Sequence, residues 1–484
     1  MVYLWNRLTG ILIYSLPVLG PLPMPPSLPL PAQEQRYKLI AYCDDIKPAI
    51  TSMEEFILVD KAMQLLEHSS GCRMHRDPTA GKCKFLALGR WKGTLTQEDL
   101  PCNFFSLSDH LDMLGVTLMA THTATKKANG DELQDRIKNV IGPWRAGRFM
   151  PLTMRPHSLN CYAFSKLWHK CSTIDLRIMD IKYINKQAKG WLYADMLEKP
   201  EEEALYRQPS DGGLGLYHVQ QRALANQINC FLETACNPTY RRNLYHQALL
   251  QYYILGDDIQ KPDIPPYFRG DFFPTIRRIN STPLSLSKLG IKEIYRFLIE
   301  EITMVEETGS QALKPLRIEL ATPTTQWDRT WTLARQYMLG PHLYSFLFKL
   351  LHQILPTAER VSRILPNQSH YCTKCRKNEP ETLTHAFFTC QENQATSQVL
   401  LQGLRKFIPS LSPSNILTLD YETDDQHHFP LVWCTATFLS SLWNLRVEKK
   451  KVELIKIRSE MEAKCRLLRE SRLTSTTNML SQIF

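Results

Sequence analysis

Four residues near the C-terminus restrict this chain more than anything else in it. Cys372, Cys375, His385 and Cys390 follow the pattern Cys-X2-Cys, nine residues, His, X4, Cys. A Cys-X2-Cys turn directs two thiolates at one cation. A histidine and a cysteine five positions apart, near one helical turn, supply the other two ligands of a tetrahedral Zn²⁺ site. An ion held this way forces residues 372–390 to close on one point. Four protein ligands also fill the shell, so the expected role is structural rather than catalytic. The competing reading is four unrelated residues in a chain with 13 cysteines. Lys374, Arg376 and Lys377 decorate the loop, either as phosphate contacts or as solvated charges.

The remaining cysteines are scattered and the total is odd, which argues against a disulfide framework and for a reducing, intracellular compartment, nucleus or cytoplasm. The sequons at Asn280 and Asn367 are then chance matches. The body has no apolar stretch long enough to suggest repeated membrane spans, so no membrane partner is expected. With 484 residues and 43% hydrophobic content the chain has material for several packed domains. Residues 1–36 stand apart. One basic residue, Arg7, precedes a short apolar run and then seven prolines between Pro17 and Pro31. That run has features of a signal peptide, but the thiol-rich body favours a proline-rich, disordered leader.

The first pattern with chemical content lies at 36–46, where an apolar strand meets Asp44 and Asp45 and apolar residues resume at Ile46. Two acids at the tip of an apolar hairpin are costly near a core unless a cation offsets them, and paired carboxylates holding Mg²⁺ are what phosphoryl transfer on a nucleotide requires. In isolation a solvated Asp-Asp turn explains them as well. Phe56, Val59, Met63 and Leu66 then recur at helical spacing, so an amphipathic helix is expected next.

These pieces, in order, resemble the reverse transcriptases of non-LTR (LINE-type) retrotransposons. Tyr42-Cys43-Asp44-Asp45 matches the family's aromatic-X-Asp-Asp turn, with cysteine where alanine is common. The stretch from Ser70-Gly71 to Lys84-Phe85-Leu86 matches its Lys-containing strand, and Met113-Leu114-Gly115-Val116-Thr117-Leu118 its primer-grip hairpin. Residues 143–167, Lys189-Gly190-Trp191-Leu192, 343–351, Leu355-Pro356-Thr357-Ala358-Glu359-Arg360 and the Cys/His motif extend the resemblance over about 37–400. It implies Asp44 and Asp45 as Mg²⁺ ligands. The family has a further aspartate on an earlier palm strand, whereas Glu34 is the sole acid before Asp44 here. Two carboxylates cannot complete a two-metal site. A polymerase-incompetent C-terminal part of such an enzyme is therefore expected.

Basic charge concentrates at 121–200, with 14 Lys+Arg and 7 Asp+Glu, whereas 37–120 has 9 and 11. Arg145, Arg148, Arg155, Lys166, Lys170, Lys186 and Lys189 are the candidate contacts to RNA or DNA, since basic side chains neutralise phosphates and release counterions. A solvated basic face is the alternative, and the resemblance favours a template-primer duplex. Trp144, Tyr162, Trp168 and Trp191 are expected mainly in the core. Ser210-Asp211-Gly212-Gly213-Leu214-Gly215-Leu216 reads as a tight turn before a helix, not as a phosphate loop. His427-His428 reads as a solvated loop cluster. Residues 446–472, with 10 basic and 5 acidic residues, read as one helix with a short apolar stripe, Leu454, Ile457, Met461 and Leu468; it is expected as a solvated helix on the body, with pairing to another helix or contact with nucleic acid as the alternatives.

The expected fold class is α+β. A partial reverse-transcriptase palm at 37–120 precedes a helical thumb and connector at 121–330, a helix plus zinc knuckle at 331–400 and a helical tail at 401–484. The expected function is nucleic-acid binding. A working RNA-directed DNA polymerase completed by a missing N-terminal half, and a domesticated structural or partner-binding protein, are the alternatives.

Overall fold

The computed structural model describes residues 39–42, 45–48, 50, 52–70, 76–77, 83–144, 150–194, 196–236, 244–264, 268, 270–282, 286–303, 330–331, 340–375, 377–421, 425–468 and 470–484. The leader 1–36, Asp44, Arg145, Arg148 and Arg376 lie outside them. The described chain is mostly helical with a few short strands, compatible with an α+β class. Strands β1 (Leu39–Tyr42), β2 (Asp45–Pro48), β3 (Cys83–Phe85), β4 (Phe105–Leu107), β5 (His110–Met113) and β6 (Val116–Met119) form three two-stranded pairs, β1–β2, β3–β4 and β5–β6. Two compact units divide the chain, one comprising Met1–Ile137, Ser165–Ile184 and Val219–Leu298, the other Lys138–Phe164, Asn185–His218 and Ile299–Phe484.

In the first unit β1 and β2 form an antiparallel hairpin with Tyr42 opposite Asp45. The expected amphipathic helix follows as α1 (Met53–Ser70). Its buried Phe56 packs on Phe85 of β3 and Phe105 of β4, at ring distances of 5.9 and 5.1 Å. Lys84 lies in β3, which pairs parallel with β4. Hairpin β5–β6 turns through Leu114 and Gly115, both at positive φ (50° and 79°), the two-residue geometry that matches strand twist. Helix α2 (His122–Trp144) then begins. Its Asn129 grips the backbone of β6 twice: Nδ2 donates to Thr117 O at 2.6 Å, and Thr117 N donates to Oδ1 at 3.0 Å. Further on, Phe231 of the helix Val219–Cys236 packs edge-on against Phe268, Phe272 and Phe273.

In the second unit one helix is buried almost all round. Residues 428–443 of the helix Asp425–Val447 are inaccessible, the pattern of a central helix rather than a surface one. Helices Pro341–Leu351, Leu454–Cys465 and Glu470–Ile483 pack on it, and Phe387, Leu400, Leu404, Phe438, Leu439, Ile457 and Met461 fill the core between them. Gly403 of the helix Gln394–Arg405 lies so close to the chain end that a Cβ there would sit 2.6 Å from Ile483 O.

Two expectations are corrected here. Residues 446–472 are not one helix. Asp425–Val447 ends there, Leu454–Cys465 follows, and Glu470–Ile483 is separate. Ile457 and Met461 are fully buried in the chain's own core, which already covers that stripe. His428 is also buried on the central helix, not solvated in a loop. The glycine run behaves as expected, with Gly212 left-handed (φ 82°) ahead of Val219–Cys236. All cysteines among the described residues are free. Among the described residues no helix is long and apolar enough to cross a membrane.

Candidate metal centre

The two ligand pairs are built by different local structures. Cys372 and Cys375 sit in a small hairpin closed by an antiparallel bridge between Tyr371 and Pro380. Cys372 N donates to Glu379 O and Glu381 N to His370 O, each at 2.9 Å. Asn378 takes φ 53°, a conformation asparagine tolerates better than most residues. His385 opens a single π turn, His385–Thr389, and Cys390 N donates back to His385 O at 2.8 Å. This refines the expected spacing. On an α-helix, residues five apart point about 140° away from each other at about 100° per residue. The i→i+5 bond of the π turn ties those two positions together instead.

Cys372 and Cys390 Sγ lie 3.8 Å apart, Cys375 Sγ and His385 Nε2 3.4 Å apart, and all four donor atoms fall within 4.8 Å of one another. A disulfide needs about 2.05 Å between sulfurs, so these are separate thiols. A tetrahedral Zn²⁺ with bonds of about 2.3 Å to sulfur and about 2.0 Å to nitrogen has S···S edges of about 3.8 Å and S···N edges of about 3.5 Å. The Cys372–Cys390 and Cys375–His385 separations match those edges, and all four residues are buried. This group can hold a metal ion.

The surroundings orient the ligands. His385 Nδ1 lies 3.0 Å from Glu379 Oε2 and 3.3 Å from Thr389 Oγ1, which leaves Nε2 for the metal. Burial raises the Cys372 thiol pKa, but the backbone N–H groups of Cys375 and Lys374 outweigh it and bring it below the ordinary value. Burial, with the charge on Cys372 also opposing ionisation, pushes Cys390 up to about 12. Arg446, at the end of the central helix, pairs with Glu381. Burial lowers its pKa, against the supporting charges of Cys372 and Cys375. Glu381 Oε2 in turn accepts the Ala358 N–H at 2.7 Å, at the start of the helix Ala358–Ile364. Sequence reading missed Glu379, Glu381, Thr389 and Arg446. The two glutamates lie inside the loop between the ligand pairs, where a carboxylate near a ligating histidine is the available signal; Arg446 has no local signal at all.

The basic candidates separate by burial. Lys166 and Lys186 are exposed, and Lys189 is half-buried and paired with Glu202. Arg155 and Lys170 are corrections to the expected phosphate contacts. Arg155 is 4% exposed, with Nε donating to Met150 O and Nη1 to Leu192 O. Lys170 is 3% exposed, donates to Asn129 Oδ1 at 2.8 Å and pairs with Glu132. Both charges are used up inside the fold, because a buried cation needs partners where water is excluded. Trp191 is core, its Nε1 donating to Trp144 O at 3.1 Å, whereas Tyr162 is exposed. Asp45 is in β2, Asp44 lies outside the described residues, and so do Arg145 and Arg148. No protein-family model matches the chain, and no curated protein matches it.

Proposed function

We propose that this chain is derived from a non-LTR retrotransposon-type reverse transcriptase, binds template-primer nucleic acid, carries structural zinc in its Cys3His centre, and does not extend a primer by itself. The observation that carries the reading is the order of its parts. A hairpin whose second strand opens on Asp45, a helix, a strand bearing Lys84, the Leu114-Gly115 hairpin, a basic region and the four-residue donor set follow one another in that sequence. Three thiolates and one imidazole in a closed shell favour Zn²⁺ over oxygen-preferring ions. Of the candidate phosphate contacts, Lys166 and Lys186 are exposed and Lys189 is half-buried.

The test is binding and extension by the purified chain on a primer annealed to RNA. The expected result is binding that weakens steeply with salt, with no extension. Extension that needs Mg²⁺ and is lost in Asp44→Ala would instead make the chain a working RNA-directed DNA polymerase. A structural or partner-binding role is the second reading, favoured by the burial of Arg155 and Lys170 within the fold. Absence of duplex binding at low salt would establish it over the first.

A further inference from the structure

Tyr162 stands 63% exposed, against the expectation of a core aromatic. Its backbone is held firmly. It lies in the π turn Leu159–Phe164, whose Leu159, Ala163 and Phe164 are buried. Asn160 in the same turn donates from Nδ2 to Gly215 O at 2.8 Å, and its Oδ1 accepts the Tyr217 N–H at 3.0 Å. Arg155, at the start of the same helical run, donates to Leu192 O. The Tyr162 ring stands perpendicular to half-buried Trp144, with centroids 6.3 Å apart and planes at 87°. Trp144 leans in turn on buried Trp191 at 5.0 Å. A perpendicular contact covers at most one face of the tyrosine, so an aromatic face is left open on a rigid support. Cations are at hand: exposed Lys186, and Lys189 paired with Glu202, precede Trp191 on the helix Ile178–Leu192.

We propose that Tyr162 is a stacking platform for an unpaired base of single-stranded nucleic acid. The inference rests on nucleic-acid binding as the function of the chain and adds a ligand that a fully paired duplex does not present. Every base has a π-face, so the contact takes RNA or DNA without sequence preference. The fixed backbone and the Trp144 buttress leave little to order on binding, which favours affinity. Single π turns are rare and recur at functional sites, and this one presents the ring.

The experiment measures the affinity of the full chain for single strands of about 12 nucleotides, as RNA, as DNA and as abasic DNA of the same length. Tyr162→Ala is expected to bind the RNA and DNA strands about tenfold more weakly with an unchanged salt slope, because no charge is lost, and Tyr162→Phe to stay within about twofold of the unmodified chain. On abasic DNA the Ala variant and the unmodified chain are expected to bind alike. Undiminished binding of RNA and DNA by the Ala variant would overturn the platform and leave the nucleic-acid reading in place. An equal loss on abasic DNA would do the same, since it marks a structural role for the ring. Absence of binding to every strand and to the template-primer duplex would overturn the nucleic-acid reading and the platform with it. If the Ala variant does not fold, the unmodified chain decides: weaker binding of abasic DNA than of DNA supports the platform, and equal binding refutes it.

Discussion

Glu379 offers the most direct test of how the metal centre is held. Its Oε2 lies 3.0 Å from His385 Nδ1, and the Thr389 hydroxyl reaches the same nitrogen at 3.3 Å. Removing a carboxylate that orients a ligating histidine costs about 10–100-fold in metal affinity, or about 1.4–2.7 kcal/mol. The Glu379 side chain is 45% exposed, so water screens it and can replace it, and Thr389 remains as a second partner. Glu379→Ala is therefore expected near the lower end, about tenfold weaker zinc binding, and Glu379→Gln about threefold, because the amide keeps an acceptor oxygen. Thr389→Val alone should cost less than Glu379→Ala, and the double variant more than the sum of the two, since each partner substitutes for the other. Competition against a chromogenic chelator, with folding checked by circular dichroism, reads all four. Unchanged affinity in the folded double variant would refute the claim that these groups set the histidine's orientation.

Zinc affinity should fall as pH falls. Cys390 stays protonated up to about pH 12 in the metal-free chain, so metal uptake near neutrality must release that proton, and affinity should drop about tenfold per pH unit per proton released. Chelator competition across about pH 6.5–8 checks this, and a flat profile would contradict it. Lys170→Ala leaves Glu132 and Asn129 without their buried partner and should destabilise the fold by about 1–3 kcal/mol, seen as a lower midpoint in urea, whereas Lys166→Glu should weaken duplex binding with little change in stability. Gly403→Ala forces a methyl against Ile483 O and should cost about 1–3 kcal/mol in the same assay.

What was legible in the sequence was whatever is local. Apolar spacing from Phe56 to Leu66 announced a helix that does form, because one stripe repeats with the helical period. The Leu114-Gly115 turn, the Gly212 turn and the four residues that can hold a metal ion were likewise readable from short spacing. The amphipathic tail misled, because the breaks at 448–453 and 466–468 contain no glycine or proline to announce them.

The sequence by itself determined the donor set: Cys372, Cys375, His385 and Cys390 converge because two short segments bend each pair toward a common point. Only the tertiary structure decided which charges are free. Arg155, Lys170 and Lys166 look alike in a basic stretch. Packing buries the first two against carbonyls, an amide and a carboxylate, and leaves the third exposed. It likewise brought Arg446 to Glu381 through the end of a central helix, a neighbour that no spacing rule anticipates. The physical reason is that burial and charge pairing depend on which surfaces meet across the fold, and sequence separation does not encode that.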